Sequence, residues 1–434
     1  MRTSIIKQID NTSIVKKQLL NWAQQFREVT FLDSNIKYNK DSKYSSYDMV
    51  LAVDAFTAIQ TDYTNVFEDL HQYQSRTRDW LFGYFSYDLK NDIEDLMSKN
   101  FDGLQFPDLY FFQPKKLFFL KGNQLEIQYL NMCDDEVDFD YTEITSQEIF
   151  DFSSLREINI QQKISRERYL EKVSKMLEYI HRGDIYEANY CMEFYANDVQ
   201  INPSEIYEKL NAISEPPFAV YFKNKDNFLI SASPERYLKK IDTKIITQPI
   251  KGTAKRSLDL DLDRQFKENL SKDVKERSEN IMIVDLVRND LSHTATKGSV
   301  QVEELCQVYS FKQVHQMIST IVSNVENTTS PIQIIKSTFP MGSMTGAPKI
   351  SAMKIIEELE ETKRGLYSGA IGYFTPTGDF DFNVVIRSIL YNSSNQYLSF
   401  SVGSAITSLS IPENEYEECL LKAKAMFEVL NRIN

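Results

Sequence analysis

The sequence predicts an α+β protein built on antiparallel sheet, and two observations predict it. The first third alternates short aromatic and β-branched runs with polar turns, the pattern of sequential strands. Beyond it, segments with apolar residues at helical spacing are interspersed with further strand-like runs. At 434 residues the chain exceeds the usual single domain, which suggests two or three domains or one large composite. A hydrophobic content of 42% is ample for a buried core.

In the first third, Met49–Val53, Trp80–Tyr87, Leu109–Phe112, Leu117–Leu120 and Asn123–Leu130 read as strands. An acidic, turn-rich piece, Asp134–Asp140, then leads to a boundary near residue 155, dividing an N-terminal region 1–155 from a catalytic region 156–434. Tyr169, Val173, Met176 and Ile180 recur at helical spacing, predicting a helix over 165–182. Ile185–Tyr195 is a strand, Asn202-Pro203 opens a short helix, and 218–222 with 228–231 form a hairpin. One long helix, broken or not, covers 260–292, and its run Ile281–Val287 is apolar enough to be buried. Strands over 369–375, 382–391 and 398–406 precede a final helix from Pro412, with a capping box in Ser410-Ile411-Pro412-Glu413.

A formal charge of −13 argues against nucleic acid or an anionic membrane as the main partner, since both attract basic surfaces. The first residues lack the apolar core of a secretory signal, and no run approaches the ~18 apolar residues of a membrane span. Cys133, Cys191, Cys306 and Cys419 are widely spaced and read as reduced thiols. A cytoplasmic location is expected.

Two glutamate pairs stand out. Glu276 and Glu279 share one helix face, and Glu415 and Glu418 repeat the spacing on the last helix, beside a stripe of Tyr416, Cys419, Leu420, Ala423 and Phe427. Either pair alone also fits an ordinary solvated face. If the helices converge, facing carboxylates need a cation, and an all-oxygen donor set suits Mg2+.

Other candidates have bland readings beside the functional ones. Lys251, in Gln248-Pro249-Ile250-Lys251-Gly252-Thr253, has no neighbouring acid in sequence and is either solvated or a reactive amine in a pocket. Ser343–Lys349 is a small-residue turn entering a helix, able to offer backbone N–H groups to an anion or simply a capped turn. Alternation places Asn383, Val385 and Arg387 on one strand face, where an inward arginine wants a carboxylate. Gly403-Ser404-Ala405 interrupts an apolar strand, either for close approach to a ligand or as a bulge. His315 stands among apolar neighbours, the usual setting of a core histidine.

Arg182–Tyr186, Ser233–Arg236, Pro249–Thr253, Glu279 with Met282–Leu291, Thr345–Lys349, Gly372-Tyr373, Asp381–Asn383 with Arg387, and Glu415–Glu418 occur in this order. Together they resemble the chorismate-utilising enzymes: the anthranilate, isochorismate, salicylate and aminodeoxychorismate synthases. Within them the likeness is to the component I chains of aminodeoxychorismate synthases. It is dense from about 165 to 430 and thinner before, where Phe31–Ser34 and Gly83–Asp88 match. The resemblance implies an antiparallel β-sandwich core wrapped by helices, an anthranilate synthase component I-like fold with the two regions interleaved. It implies Mg2+ held by Glu279 and Glu418 with Glu276 and Glu415 completing the site, and a Lewis-acid role for the metal. It assigns the enolpyruvyl carboxylate to Tyr367 and Arg387, the ring carboxylate to Thr345 and Gly403, and the leaving hydroxyl to His315.

Within the family, aminodeoxychorismate synthases carry lysine at the position of Lys251, where anthranilate synthases carry alanine. The resemblance thus implies amination of chorismate at C4, in p-aminobenzoate and folate synthesis, through attack of the Lys251 amine on C2. Such chemistry needs a neutral amine, so the pocket is expected to depress the lysine pKa. Ammonia is expected from a separate glutamine amidotransferase subunit or from solution, since no Gly-x-Cys-x-Gly turn occurs. Two residues depart from the family: Glu187, where glutamine is usual in amine-transferring members, and Ser404-Ala405, where glycines commonly follow Gly403. The rivals are an anthranilate synthase component I and a catalytically silent chorismate- or partner-binding protein.

Overall fold

The aromatic and β-branched runs do become strands, and in the computed structural model, which describes residues 1–35, 43–62, 64–148 and 158–430, they join in one sheet. Its antiparallel pairings can be followed as a single path. From Glu187–Ala196 it passes through Tyr397–Thr407, Ser388–Asn392, Asn227–Ser233 and Phe218–Asn224 to Glu28–Asp33. It continues through Met49–Thr61, Leu109–Lys121, Leu81–Phe85 and Ala370–Phe374. It ends through Phe380–Val384, Arg236–Ile241 and Lys244–Gln248 on Val314–Asn324, which also pairs with Ile250–Lys255.

The sheet folds over itself, because one apolar core takes residues from both halves of the path. Phe222 and Leu229 from one half share it with Leu238 and Phe382 from the other. A second core lies under the helices: Tyr169 and Met176 of Arg166–Arg182 and Cys419 and Met426 of Pro412–Leu430 pack against Ile230 and Phe400. Strands from either side of residue 155 pair directly, as in Asp33 with Ala219 and Gly83 with Gly372, so the first third and the remainder share the sheet. The boundary near residue 155 falls on residues outside those described.

Several expectations change in instructive ways. The runs 109–112 and 117–120 are one strand, Leu109–Lys121; Pro114 is tolerated because its partner strand shifts register between Ala55 and Thr57, where no N–H is wanted. Asp134–Asp140 is no turn: it starts the helix Val137–Ser146, whose first-turn acids suit the helix dipole, and Asp140 is buried against Lys116 and Tyr129. The long helix is two, Leu260–Lys272 and Val274–Ser292, divided at Asp273, whose carboxylate accepts from the Glu276 N–H at 2.9 Å. In the second, Ile283, Val284 and Val287 are buried but Ile281 is exposed. Ser410 makes no capping box; its hydroxyl instead accepts from the Thr407 N–H at 3.1 Å. The expected strand 382–391 breaks at Arg387, whose φ of 54° ends the alternation before Ser388–Asn392.

Gly83 and Gly372 face each other across neighbouring strands because neither has room for a side chain. A Cβ on Gly372 would lie 2.0 Å from the Asp381 carbonyl oxygen, and one on Gly83 would lie 1.9 Å from that of Tyr110. Gly372→Ala should therefore cost about 3 kcal/mol and lower the Tm by about 5 °C or more. Gly122→Ala, at φ 59° with nothing within 4 Å, should cost only about 1 kcal/mol. Equal thermal melts for the two variants would refute this packing constraint.

Candidate active site

Following the sheet path brings its two ends together. Glu187 begins the first strand, Lys251 lies beside the last, and the Lys251 Nζ donates to Glu187 Oε1 at 2.6 Å. A cleft of about 1020 Å3, counting its open mouth, occupies this seam. The helices Val274–Ser292 and Pro412–Leu430 supply its acidic wall.

Lys251 is not solvated; its side chain is about nine-tenths buried. Its carbonyl accepts from Asn280 Nδ2 at 3.2 Å, which ties its strand to the acidic helix. Gly252 follows in the left-handed region, at φ 95°, and a Cβ there would sit 3.1 Å from Glu276 Oε2. The pKa of Lys251 runs opposite to expectation. Burial pulls it down, but the carboxylates of Glu187, Glu279 and Glu235 outweigh burial and hold it above its ordinary value. The acid absent from its sequence neighbourhood arrives from another strand.

Glu235 is a site residue that sequence reasoning missed, although Ser233–Arg236 was among the matching stretches. It is buried in the cleft wall, and burial pushes its carboxyl up to about 7 against the counter-pull of Ser343 and Lys251. A perturbed acid beside an amine in a cleft is the pattern of a candidate functional site. Lys422 was missed as well: its Nζ donates to Glu418 Oε1 at 2.6 Å and to the Gly403 carbonyl at 2.8 Å. Lys275 was the third, with Nζ 3.7 Å from both Glu279 Oε1 and Glu415 Oε1. A lysine one turn from a glutamate is so common on helices that the sequence carried no signal for either.

The four predicted glutamates all line the cleft. Glu415 is buried and Glu418 exposed, and the Lys422 ammonium holds Glu418 below the ordinary carboxylate range although desolvation opposes it. Burial raises Glu276, and raises Glu279 to about 7. Glu279 Oε1 is buried without a hydrogen bond. Among the described residues no three such side chains already converge as a metal site, and the Lys275 ammonium lies between the Glu279 and Glu415 carboxylates. The donor chemistry still fits a hard divalent cation: every candidate ligand is a carboxylate oxygen, and one is an orphaned buried atom.

Tyr367, Arg387 and Gly403 line the cleft as predicted. Arg387 gets there by its bend, not by strand alternation. Among the described residues it has no acid within ion-pair distance, and its hydrogen bond goes to the Lys422 carbonyl at 3.4 Å. Gly403 is no bulge, since pairing runs in register through Gly403–Ala405; a Cβ there would meet Cys191 Sγ at 2.6 Å.

Two predicted residues are not brought to the cleft. His315 is buried on the far side of its strand, with Nδ1 2.9 Å from the Ser310 hydroxyl and Nε2 3.1 Å from Asp263. Thr345 turns its hydroxyl into its own loop, towards the carbonyls of Met341 and Gly342 at 3.3 Å each, while Ser343 and Met344 face the cleft. Side-chain direction at a strand or turn is decided by pairing partners distant in sequence, so neither misplacement was visible there.

The class of protein comes from comparison with known proteins. The family described as chorismate binding enzyme matches residues 23–428, and the chain belongs to it. An anthranilate synthase component I-like protein of Synechocystis is 34% identical over 355 residues, 81% of this chain and 72% of that one. A chloroplastic aminodeoxychorismate synthase of Arabidopsis thaliana is 40% identical over 264 residues, 60% of this chain but only 28% of that longer protein. The solved anthranilate synthase component I from Streptococcus pneumoniae shares the fold, with a TM-score of 0.79 at 24% identity over 89% of this chain and 93% of that one. No helix among the described residues is long and apolar enough to cross a membrane.

The Glu235 carboxyl gives a pH test. Folded, it titrates at about 7 against an ordinary value of 4.5, so between those values the native state holds a proton the unfolded state has lost. Its contribution to stability is therefore greatest at low pH and is lost as pH rises towards 7. Urea melts from about pH 5 to about pH 8 should lose less stability in Glu235→Gln than in the wild type. Identical pH dependence in the two would show that the carboxyl is not held protonated.

Proposed function

We propose that this chain is an aminodeoxychorismate synthase component I, aminating chorismate at C4 to 4-amino-4-deoxychorismate. The observation that carries the reading is Lys251, enclosed at the seam with Glu187 in contact and the protonatable Glu235 beside it. An unpaired arginine at the other side of the same cleft suits an anionic substrate.

Arg387, with Tyr367 alongside, receives the enolpyruvyl carboxylate, replacing its weak bond to the Lys422 carbonyl with a charge-assisted one. Gly403 and the Lys422 ammonium attached to it meet the ring carboxylate, since the Thr345 hydroxyl is turned away. Glu276, Glu279, Glu415 and Glu418 would hold Mg2+, which when bound supplies Lewis-acid polarisation of the ring carboxylate.

Glu187 takes a proton from Lys251 along their hydrogen bond, freeing the amine. The amine then bonds to C2 of the ring as the C4–oxygen bond breaks and the ring double bonds shift. The departing hydroxyl takes the proton of Glu235 and leaves as water, the general-acid role suited to a carboxyl near 7. Ammonia from a glutaminase subunit bonds to C4 and gives its extra proton to Glu235 as the C2–Nζ bond breaks, and Glu187 returns its proton to the freed lysine amine. Elimination of pyruvate falls to a separate lyase.

One observation favours the rival, an anthranilate synthase component I in which ammonia attacks C2 directly: the pocket holds Lys251 above its ordinary pKa, against a nucleophilic role. Incubation with chorismate, Mg2+ and an ammonium salt separates the two. Aminodeoxychorismate that yields p-aminobenzoate only after the lyase is added is expected, and Lys251→Ala should slow its formation by about 100-fold or more. Fluorescent anthranilate appearing without the lyase would overturn the proposal.

A further inference from the structure

Three lysines enter the acidic cleft, and they are held in different ways. Lys251 and Lys422 are each pinned by a 2.6 Å ion pair, and Lys422 also by a carbonyl. Lys275 has no such contact. Its Nζ lies 3.7 Å from Glu279 Oε1 and 3.7 Å from Glu415 Oε1, beyond hydrogen-bond reach of both and midway between the two helices. Glu279 Oε1 is accordingly a buried acceptor left without a hydrogen bond. The lysine side chain is 42% exposed, so its flexible stem has open solvent beside it.

A cluster of carboxylates in a partly closed cleft repels itself unless a cation stands among them. Lys275 supplies that charge from one residue before Glu276, on the same helix. An ammonium centred between carboxylates, bound by field and not by directed bonds, is where a metal ion would be expected. Resting on the reading of the four glutamates as Mg2+ ligands, we infer that Lys275 is a tethered counter-cation. It occupies the metal position in the metal-free protein and swings to solvent when a divalent cation enters. The apparent affinity for metal is then the intrinsic affinity reduced by the cost of expelling the lysine.

Neutral replacement separates this from a purely structural role. Mn2+, which takes the same oxygen ligands, can be titrated into the full chain and its free fraction followed by electron paramagnetic resonance. Lys275→Met should bind Mn2+ about 5- to 10-fold more tightly than wild type, while Lys275→Arg should stay near wild type. In chelator, Lys275→Met should melt below wild type, and saturating Mn2+ should close the gap. If Lys275→Met folds poorly, Lys275→Gln serves, with the same expectation. Wild-type binding with unchanged or weaker affinity in both neutral variants would overturn the inference and leave the metal reading intact. Failure of the wild type to bind Mn2+ at all would overturn both.

Discussion

One buried ion pair holds the seam of the sheet in shape. The Arg364 guanidinium makes a two-bond contact with Glu360, at 2.9 and 2.6 Å, then donates at 2.7 Å to the Asn189 carbonyl and at 2.7 Å to the Met344 carbonyl. Glu360 in turn accepts from the Cys191 N–H at 2.9 Å. The pair therefore ties the strand carrying Glu187 to the turn carrying Ser343, which bonds the Glu235 carboxyl. Burying an arginine is costly unless every donor finds a partner, and removing one member of such a pair costs about 3–5 kcal/mol. The pair does not serve as a general stabiliser. Its use is to fix the turn at Ser343 and Met344 against the strand Glu187–Ala196.

What those strands enclose is a problem in charge. Glu235, Glu276, Glu279, Glu415 and Glu418 line the cleft against Lys251, Lys275, Lys422 and Arg387. The protein manages the excess in two ways. Two of the carboxyls, Glu235 and Glu279, are pushed by burial up to about 7. Where a carboxyl reaches the rim it keeps its charge and pairs with a lysine, as Glu418 does with Lys422. Arg387 is left over, with no acid within ion-pair distance among the described residues, and in the proposed function a substrate carboxylate completes it.

Much of this was legible in the sequence, for a physical reason. Period-2 and period-3.6 patterns fix where strands and helices lie, and the glutamate pairs three residues apart must share a helix face wherever that helix packs. Arg387 was found in a matching stretch, Gly403 as an interruption of an apolar strand, and Tyr367 through the family resemblance. What the sequence hides is which groups meet across the sheet. Lys251 stood without an acid because Glu187 lies 64 positions earlier and reaches it only when the sheet closes. His315 went wrong because its role came from the resemblance alone, and both faces of its strand are buried, so its neighbours in sequence could not say which face met the cleft. Arg387 reaches the cleft by another route than alternation gave it, as a single left-handed residue replaced the strand that was to aim it.

The Lys251–Glu187 contact is the hardest part of the site to reconcile with its chemistry, and also the most informative. A lysine nucleophile must be neutral, yet three carboxylates surround this one. Two of the three weaken their own claim: Glu235 and Glu279, both titrating near 7, are partly protonated at neutral pH and then no longer stabilise the ammonium. That leaves Glu187, which differs from the others in sharing a hydrogen bond of 2.6 Å with the amine. An ion pair owes its advantage over the corresponding neutral pair to solvation, and each pKa unit of that advantage is about 1.36 kcal/mol. Both groups are already nearly dry, with side-chain exposures of 10% for Lys251 and 4% for Glu187, so little solvation is left to favour the charged pair. A proton passing from Nζ to Oε1 then cancels two buried charges in one step. A glutamine at this position could hold the amine but could not take its proton. Under the proposed reaction, the carboxylate that departs from the family pattern is the base for a lysine set among acids.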